Sequence, residues 1–300
     1  MVNNNKKCAP TKNYNESSCF TLDQLKKMAK SYNNFIDNNE LKGNKINISD
    51  NKRSLVKQLT KNLENKCKDQ ICWLKQKFIK VLKDEDIFKN TFRPIGPSGK
   101  FEWLSTLHIN DVMNQYEKKY PEFKFYGAVP IDFDDLPFLG IKNINYDDLY
   151  NNKNKNKLGF VFNLDEHWKS GSHWVALYTD LEKKQIYFFD SYGKRPEKRI
   201  RKLVKRIARW MHKHNCTSAC SISDESESYM KKNSRNNIEK KLNIEYNRNR
   251  HQYKNSECGV YSLNFILRLL NDTSFNDITK NKVLDNDINN CRKVYFRFTE

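Results

Sequence analysis

The stretch HWVALYTDLEKKQIYFFD, His173 to Asp190, holds two apolar runs rich in aromatic and β-branched residues, joined by LEKK. This pattern predicts two strands closing a hairpin. In an antiparallel pair the start of one strand lies beside the end of the next. His173 opens the first run and Asp190 closes the second, so the turn sets them side by side. An imidazole next to a carboxylate is a candidate general base with its orienting group. Taken singly, a strand-end histidine and a turn-capping aspartate are ordinary.

A base needs something to deprotonate, and QYKNSECGVYSLNFILRLL, Gln252 to Leu270, offers it. Cys258 stands where a polar run gives way to Val260, Tyr261, Leu263, Phe265, Ile266 and Leu267, the pattern of a buried helix. A helix N-terminus presents unpaired N–H groups and partial positive charge, which favour a thiolate. Gly259 is expected to leave room for a substrate. Gln252, ahead of Cys258 in a polar loop, can donate to a developing oxyanion beside the backbone N–H of Cys258. The bland alternatives are a structural thiol and a solvated glutamine.

Other residues compete for these roles. His167 precedes Trp168 but opens no apolar run, His251 needs the loop to fold back, and His108 falls at the edge of an amphipathic helix. HKHNCTSAC offers His212, His214, Cys216 and Cys220 as metal ligands, although helix-end histidines and free thiols explain it more simply; no metal is expected. GPSGKF lacks the spacing of a phosphate-binding loop.

Composition bounds the rest. The chain has 300 residues, with 18 Phe and 15 Tyr to fill a core, and a formal net charge of +19. That charge suits an anionic partner, or a solvated lysine- and asparagine-rich surface such as NNKNKNK, residues 151–157. MVNNNKKCAPTKNYNESS, residues 1–18, lacks the apolar segment of a signal peptide. No run reaches the roughly 18 apolar residues of a membrane span. The eight cysteines are therefore expected as free thiols in a reducing compartment.

Residues 1–90 read as a basic helical unit. Thr21 caps a helix with Leu22, Leu25, Met28, Ala29 and Tyr32 at helical spacing. A connector follows from Asn33. A second helical stretch starts near Ser54 and runs through DQICWLKQKFIKVL to about Leu82, carrying Cys67 and Cys72. FRPIGPSGKF marks a boundary. Residues 91–300 then mix elements: a helix over TLHINDVMNQYEKKY with Leu107, Val112 and Tyr116 inward, strands at FKFYGAVPIDF and KLGFVFNL, and the hairpin. A basic helix opened by Pro196 at N1, a short strand at KLNIEYNR and closing helices follow. The mixture predicts an α+β fold.

Four roles in the order His173-Trp174, Asp190, Gln252, Cys258-Gly259 resemble the pattern of the ubiquitin-like-protein (SUMO) proteases and the adenovirus protease. FEWLSTLHINDVM resembles the entry of that catalytic domain. FKFYGAVPIDF resembles the polyprotein-processing thiol proteases of large cytoplasmic DNA viruses, the African swine fever virus type. The resemblance covers roughly residues 92–300. It implies a central mixed sheet flanked by helices, with an N-terminal helical arm over 1–90. It implies cleavage after Gly-Gly, with Trp174 roofing and Trp103 flanking a slot too narrow for side chains. The expected role is processing of viral structural polyproteins in the host cytoplasm and the virion, with no cofactor expected and stimulation by DNA or a peptide left open; the adenovirus enzyme is stimulated by DNA. Removal of SUMO or another ubiquitin-like modifier is the rival activity. A nucleic-acid-binding protein acting through residues 1–90 and the helix with Lys198, Arg199, Arg201, Lys202, Lys205, Arg206 and Arg209 is the rival of another class.

Overall fold

The computed structural model describes residues 7–99, 101–214 and 242–297. Two compact units emerge, Met1–Ser98 with Lys293–Glu300, and Gly99–Arg292.

In the first unit, α1 (Leu22–Asp37) starts at a Thr21–Gln24 capping box and runs on through residues expected as connector. The helical stretch expected from Ser54 to Leu82 is broken into α2 (Lys52–Leu63), α3 (Gln70–Trp73) and α4 (Lys77–Lys80), followed by α5 (Glu85–Asn90). Apolar spacing persists through the breaks, but Asp69 caps a fresh start by accepting the N–H of Cys72 at 2.8 Å. Phe20, Leu25, Met28, Tyr32, Leu55 and Trp73 fill the core. The expectation of free thiols fails here: Cys8 bonds Cys19 and Cys67 bonds Cys72, each with Cα atoms 5.4 Å apart. The break after α2 lets Cys67 and Cys72 meet, which one continuous helix would prevent. Near the C-terminus, Arg297 exchanges backbone hydrogen bonds with Pro94 and Gly96.

The second unit is built on one mixed sheet, in the order β1 (Phe123–Pro130), β2 (Lys157–Asn163), β3 (Trp174–Asp180), β4 (Gln185–Phe189), β5 (Asn243–Tyr246). The β1–β2 and β4–β5 pairs are parallel; β2–β3 and β3–β4 are antiparallel. A bulge between Phe125 and Ala128 interrupts β1, where Gly127 takes φ +99°. Period-two alternation divides the faces. Leu158, Phe160, Phe162, Val175, Leu177, Ile186 and Phe188 cluster with Ile200, Leu203, Val204 and Ile207 of α7 (Lys198–Lys213). The opposite face carries Gly159 and Phe189, which meet Ile266 and Phe265 of α8 (Cys258–Leu270).

Helix α6 (Thr106–Lys119) is entered through a Ser105–His108 capping box. It buries Ile109, Val112, Met113 and Tyr116, whereas Leu107, expected inward, is 71% exposed in the first turn, off that face. Pro196 lies before the N-cap Glu197 of α7 rather than at N1. Short helices α9 (Phe275–Lys280) and α10 (Asp285–Asn290) follow α8. Part of the basic charge of α7 is used inside the unit: Arg206 makes a bidentate pair with Asp134 at 2.7 Å, and Arg199 pairs with Asp135.

Leu203→Ala should lower unfolding stability by about 2–5 kcal/mol, because a sealed layer cannot refill the cavity. Lys202→Ala, exposed one residue away, should change it by less than about 0.5 kcal/mol. Denaturant titration of both checks the layer; equal effects would contradict it.

Candidate active site

The β3–β4 register pairs Ala176 with Phe189. Continued past the strand ends, it sets Tyr192 across from His173 and Asp190 across from Val175. His173 and Asp190 thus meet diagonally, with Nε2 of His173 2.7 Å from Oδ1 of Asp190. The same oxygen accepts the N–H of Tyr192 at 2.8 Å. The Tyr192 ring lies nearly flat on the imidazole, with centroids 4.5 Å apart. His173 and Asp190 are both buried.

Cys258 is the first residue of α8 and is buried. It lies close enough to the His173 ring to raise the imidazole's pKa together with Asp190. Burial pulls the imidazole's pKa down, but the hydrogen bonds and charges of Asp190 and Cys258 outweigh it, and the pKa is raised to about 9. At neutral pH the ring therefore holds its proton beside the sulfur. This is the electrostatics of a thiol nucleophile with its acid–base partner.

Gln252 is fully buried, not a solvated loop residue. Its Oε1 accepts from Ser191 Oγ at 2.7 Å, its Nε2 donates to the carbonyl of Lys254 at 2.7 Å, and its backbone N–H donates to Ser191 at 3.0 Å. A primary amide has two N–H donors, so one remains after the bond to Lys254. Ser191 follows Asp190 directly, which ties the loop carrying Gln252 to the strand carrying the acid.

The two tryptophans enter differently. Trp174 is buried and donates from Nε1 to the carbonyl of Leu104 at 2.9 Å. Trp103, next in the chain to Leu104, is 42% exposed. Gly259 makes room for this neighbour: a Cβ there would stand 3.0 Å from the Leu104 side chain. The missing side chain thus lets the 103–104 segment close against the first turn of α8.

The rival histidines are occupied elsewhere. His167 Nδ1 sits 2.6 Å from Asp132 Oδ2. His251 is buried edge-on against Phe189 and Tyr261. His108 closes its capping box. His214 stacks on Trp210 at 4.6 Å, His212 lies in the last turn of α7, and Cys216 and Cys220 fall outside the described residues. Among the described residues no group of three or more His, Cys, Asp or Glu could hold a metal ion. No helix among them is long and apolar enough to cross a membrane. Sequence reasoning missed Tyr192, although the hairpin register points to it. It also missed Glu257 and Arg292, which no local pattern joins.

Residues 151–297 match the model of the Ulp1 protease family, C-terminal catalytic domain. A protein of Acanthamoeba polyphaga mimivirus named as a thiol protease is 38% identical over 97% of this chain and 93% of its own length. A cysteine protease of African swine fever virus is 24% identical over 82% of this chain and 90% of its own. The crystal structure of an African swine fever virus protease superposes with a TM-score of 0.63 at 19% identity, covering 98% of this chain and 96% of the other, so the fold is shared.

An NMR titration of His173 should find its pKa near 9. Asp190→Asn, which removes the carboxylate that offsets burial, should lower it by at least about one unit. An unchanged value would mean that Asp190 does not hold the imidazolium.

Proposed function

The chain belongs to the Ulp1-type family of cysteine proteases, and on that premise we propose that it cleaves protein precursors after a Gly-Gly pair. The observation that carries this reading is the buried Asp190–His173 pair set against Cys258, with Gln252 held in the adjoining loop. The Cys258 sulfur, its proton already carried by His173, attacks the carbonyl carbon of the second glycine. The developing oxyanion takes hydrogen bonds from the backbone N–H of Cys258 and the remaining N–H of Gln252. His173 then gives its proton to the leaving amine, and the thioester forms. Water, deprotonated by the same imidazole, releases the acid and restores the thiolate beside the protonated ring.

The contact of Trp174 with Leu104 and the exposure of Trp103 support a slot walled by aromatic rings, which favours residues without side chains. The relatives are viral and named as proteases, which favours precursor processing as the role; we place it in the host cytoplasm and the virion. Removal of a ubiquitin-like modifier is the second reading; another African swine fever virus relative is named SUMO-1 cysteine protease.

The test offers a Gly-Gly-X peptide and a SUMO fusion side by side. Wild type should cut the peptide and Cys258→Ser should lose at least about 10³-fold in rate with its fold intact. Preference for the fusion would favour modifier removal; equal rates in the two proteins would remove Cys258 as nucleophile. Trp103→Ala should lower kcat/KM on the peptide by about tenfold while leaving iodoacetamide alkylation of Cys258 unchanged. Adding duplex DNA to the same assay reads whether the basic surface stimulates cleavage.

A further inference from the structure

The residues just before the nucleophile belong to a buried polar cluster that the steps above do not use. Glu257, the N-cap of α8, is fully buried, yet its side chain makes no capping hydrogen bond to the first turn. It turns back instead. Its carboxylate accepts the N–H of Ser256 at 2.9 Å, the Ser256 hydroxyl at 3.0 Å and Nδ2 of Asn289 at 2.8 Å. Oδ1 of Asn289 accepts Nε of Arg292 at 2.9 Å, and NH2 of Arg292 donates to the carbonyl of Ser256 at 3.0 Å. Arg292 is 1% exposed, and its NH1 is buried with no hydrogen-bond partner among the described residues. It lies within electrostatic reach of both Glu257 and Cys258.

Burying two charges is costly, and an apolar filling of the same space would often be more stable. The arrangement has a second consequence. A carboxylate beside a helix start is drawn to the free amides of the first turn. Those amides are the donors an oxyanion needs. We propose that Glu257, Asn289 and Arg292 form a positioning triad. It holds the N-cap carboxylate away from the first-turn amides of α8 and balances its charge beside Cys258, leaving amides and sulfur free for the substrate. This inference rests on the protease reading above. The other charged and titratable groups around Cys258 are His173 and Asp190, Tyr192 with Arg250 near it, and Glu102 and His108 near Arg292.

The experiment is a double-mutant cycle on the full chain. Iodoacetamide alkylation of Cys258 is followed against pH by peptide mass spectrometry, and Gly-Gly-X cleavage is measured in parallel. Arg292→Met should slow alkylation at pH 7 by about tenfold and move its profile upward, because the Glu257 charge is then unbalanced. Glu257→Gln, which keeps the shape, should move the profile downward. The double variant should recover to within about threefold of wild type. A wild-type profile in Arg292→Met, or a double variant no better than Arg292→Met, would overturn the triad. If Arg292→Met does not fold, Glu257→Gln decides alone, and an unchanged profile overturns it. If the cycle closes as expected while wild type cuts no Gly-Gly-X peptide, the triad stands and the substrate reading fails.

Discussion

One buried hydrogen bond, from the His173 ring to Asp190, sets the chemistry of this chain. A histidine sealed away from water would ordinarily shed its proton. Here a carboxylate fixed at the end of the neighbouring strand reverses that preference. The carboxylate is itself held by the N–H of Tyr192, and the Tyr192 ring covers the imidazole. Orientation and protonation of the base therefore come from the same short hairpin.

The hairpin can be rigid because both faces of the sheet are covered. On one side α7 lays Ile200, Leu203, Val204 and Ile207 against Val175, Leu177 and Phe188. On the other, α8 is buried nearly all round and stacks Phe265 on Phe189. That second helix starts at Cys258, so the packing that closes the core also delivers the sulfur to the ring. The Leu104 segment links the parts once more, by its carbonyl to Trp174 and by its side chain over Gly259.

Much of this was legible in the sequence because its signals are local. Short apolar runs named β2, β3 and β4, the length of LEKK set His173 near Asp190, and the apolar residues recurring from Val260 to Leu267 named a buried helix. What was misread shows where local signals stop. The spacing of Leu55, Leu59 and Leu63 carries on into QICWLKQKF, so the breaks around Asp69 and Gln76 look like one helix. The two disulfides depend on where those breaks put the chain. Leu107 is apolar but sits out of phase with Ile109, Val112 and Tyr116. The contact of Gly259 with Leu104 was not announced, because Leu104 is remote in the chain. The Glu257–Asn289–Arg292 contacts join α8 to the end of α10, and no pattern in either segment announces the other.

The central claim is that one sulfur is made reactive by one imidazole. The most direct measurement is covalent labelling with a peptide ending in a Gly-Gly vinyl sulfone, with the adduct mapped by mass spectrometry. The account predicts an adduct on Cys258 alone, lost when His173 is replaced by alanine. An adduct on Cys291 or another thiol, or labelling of Cys258 that ignores the loss of His173, would contradict it.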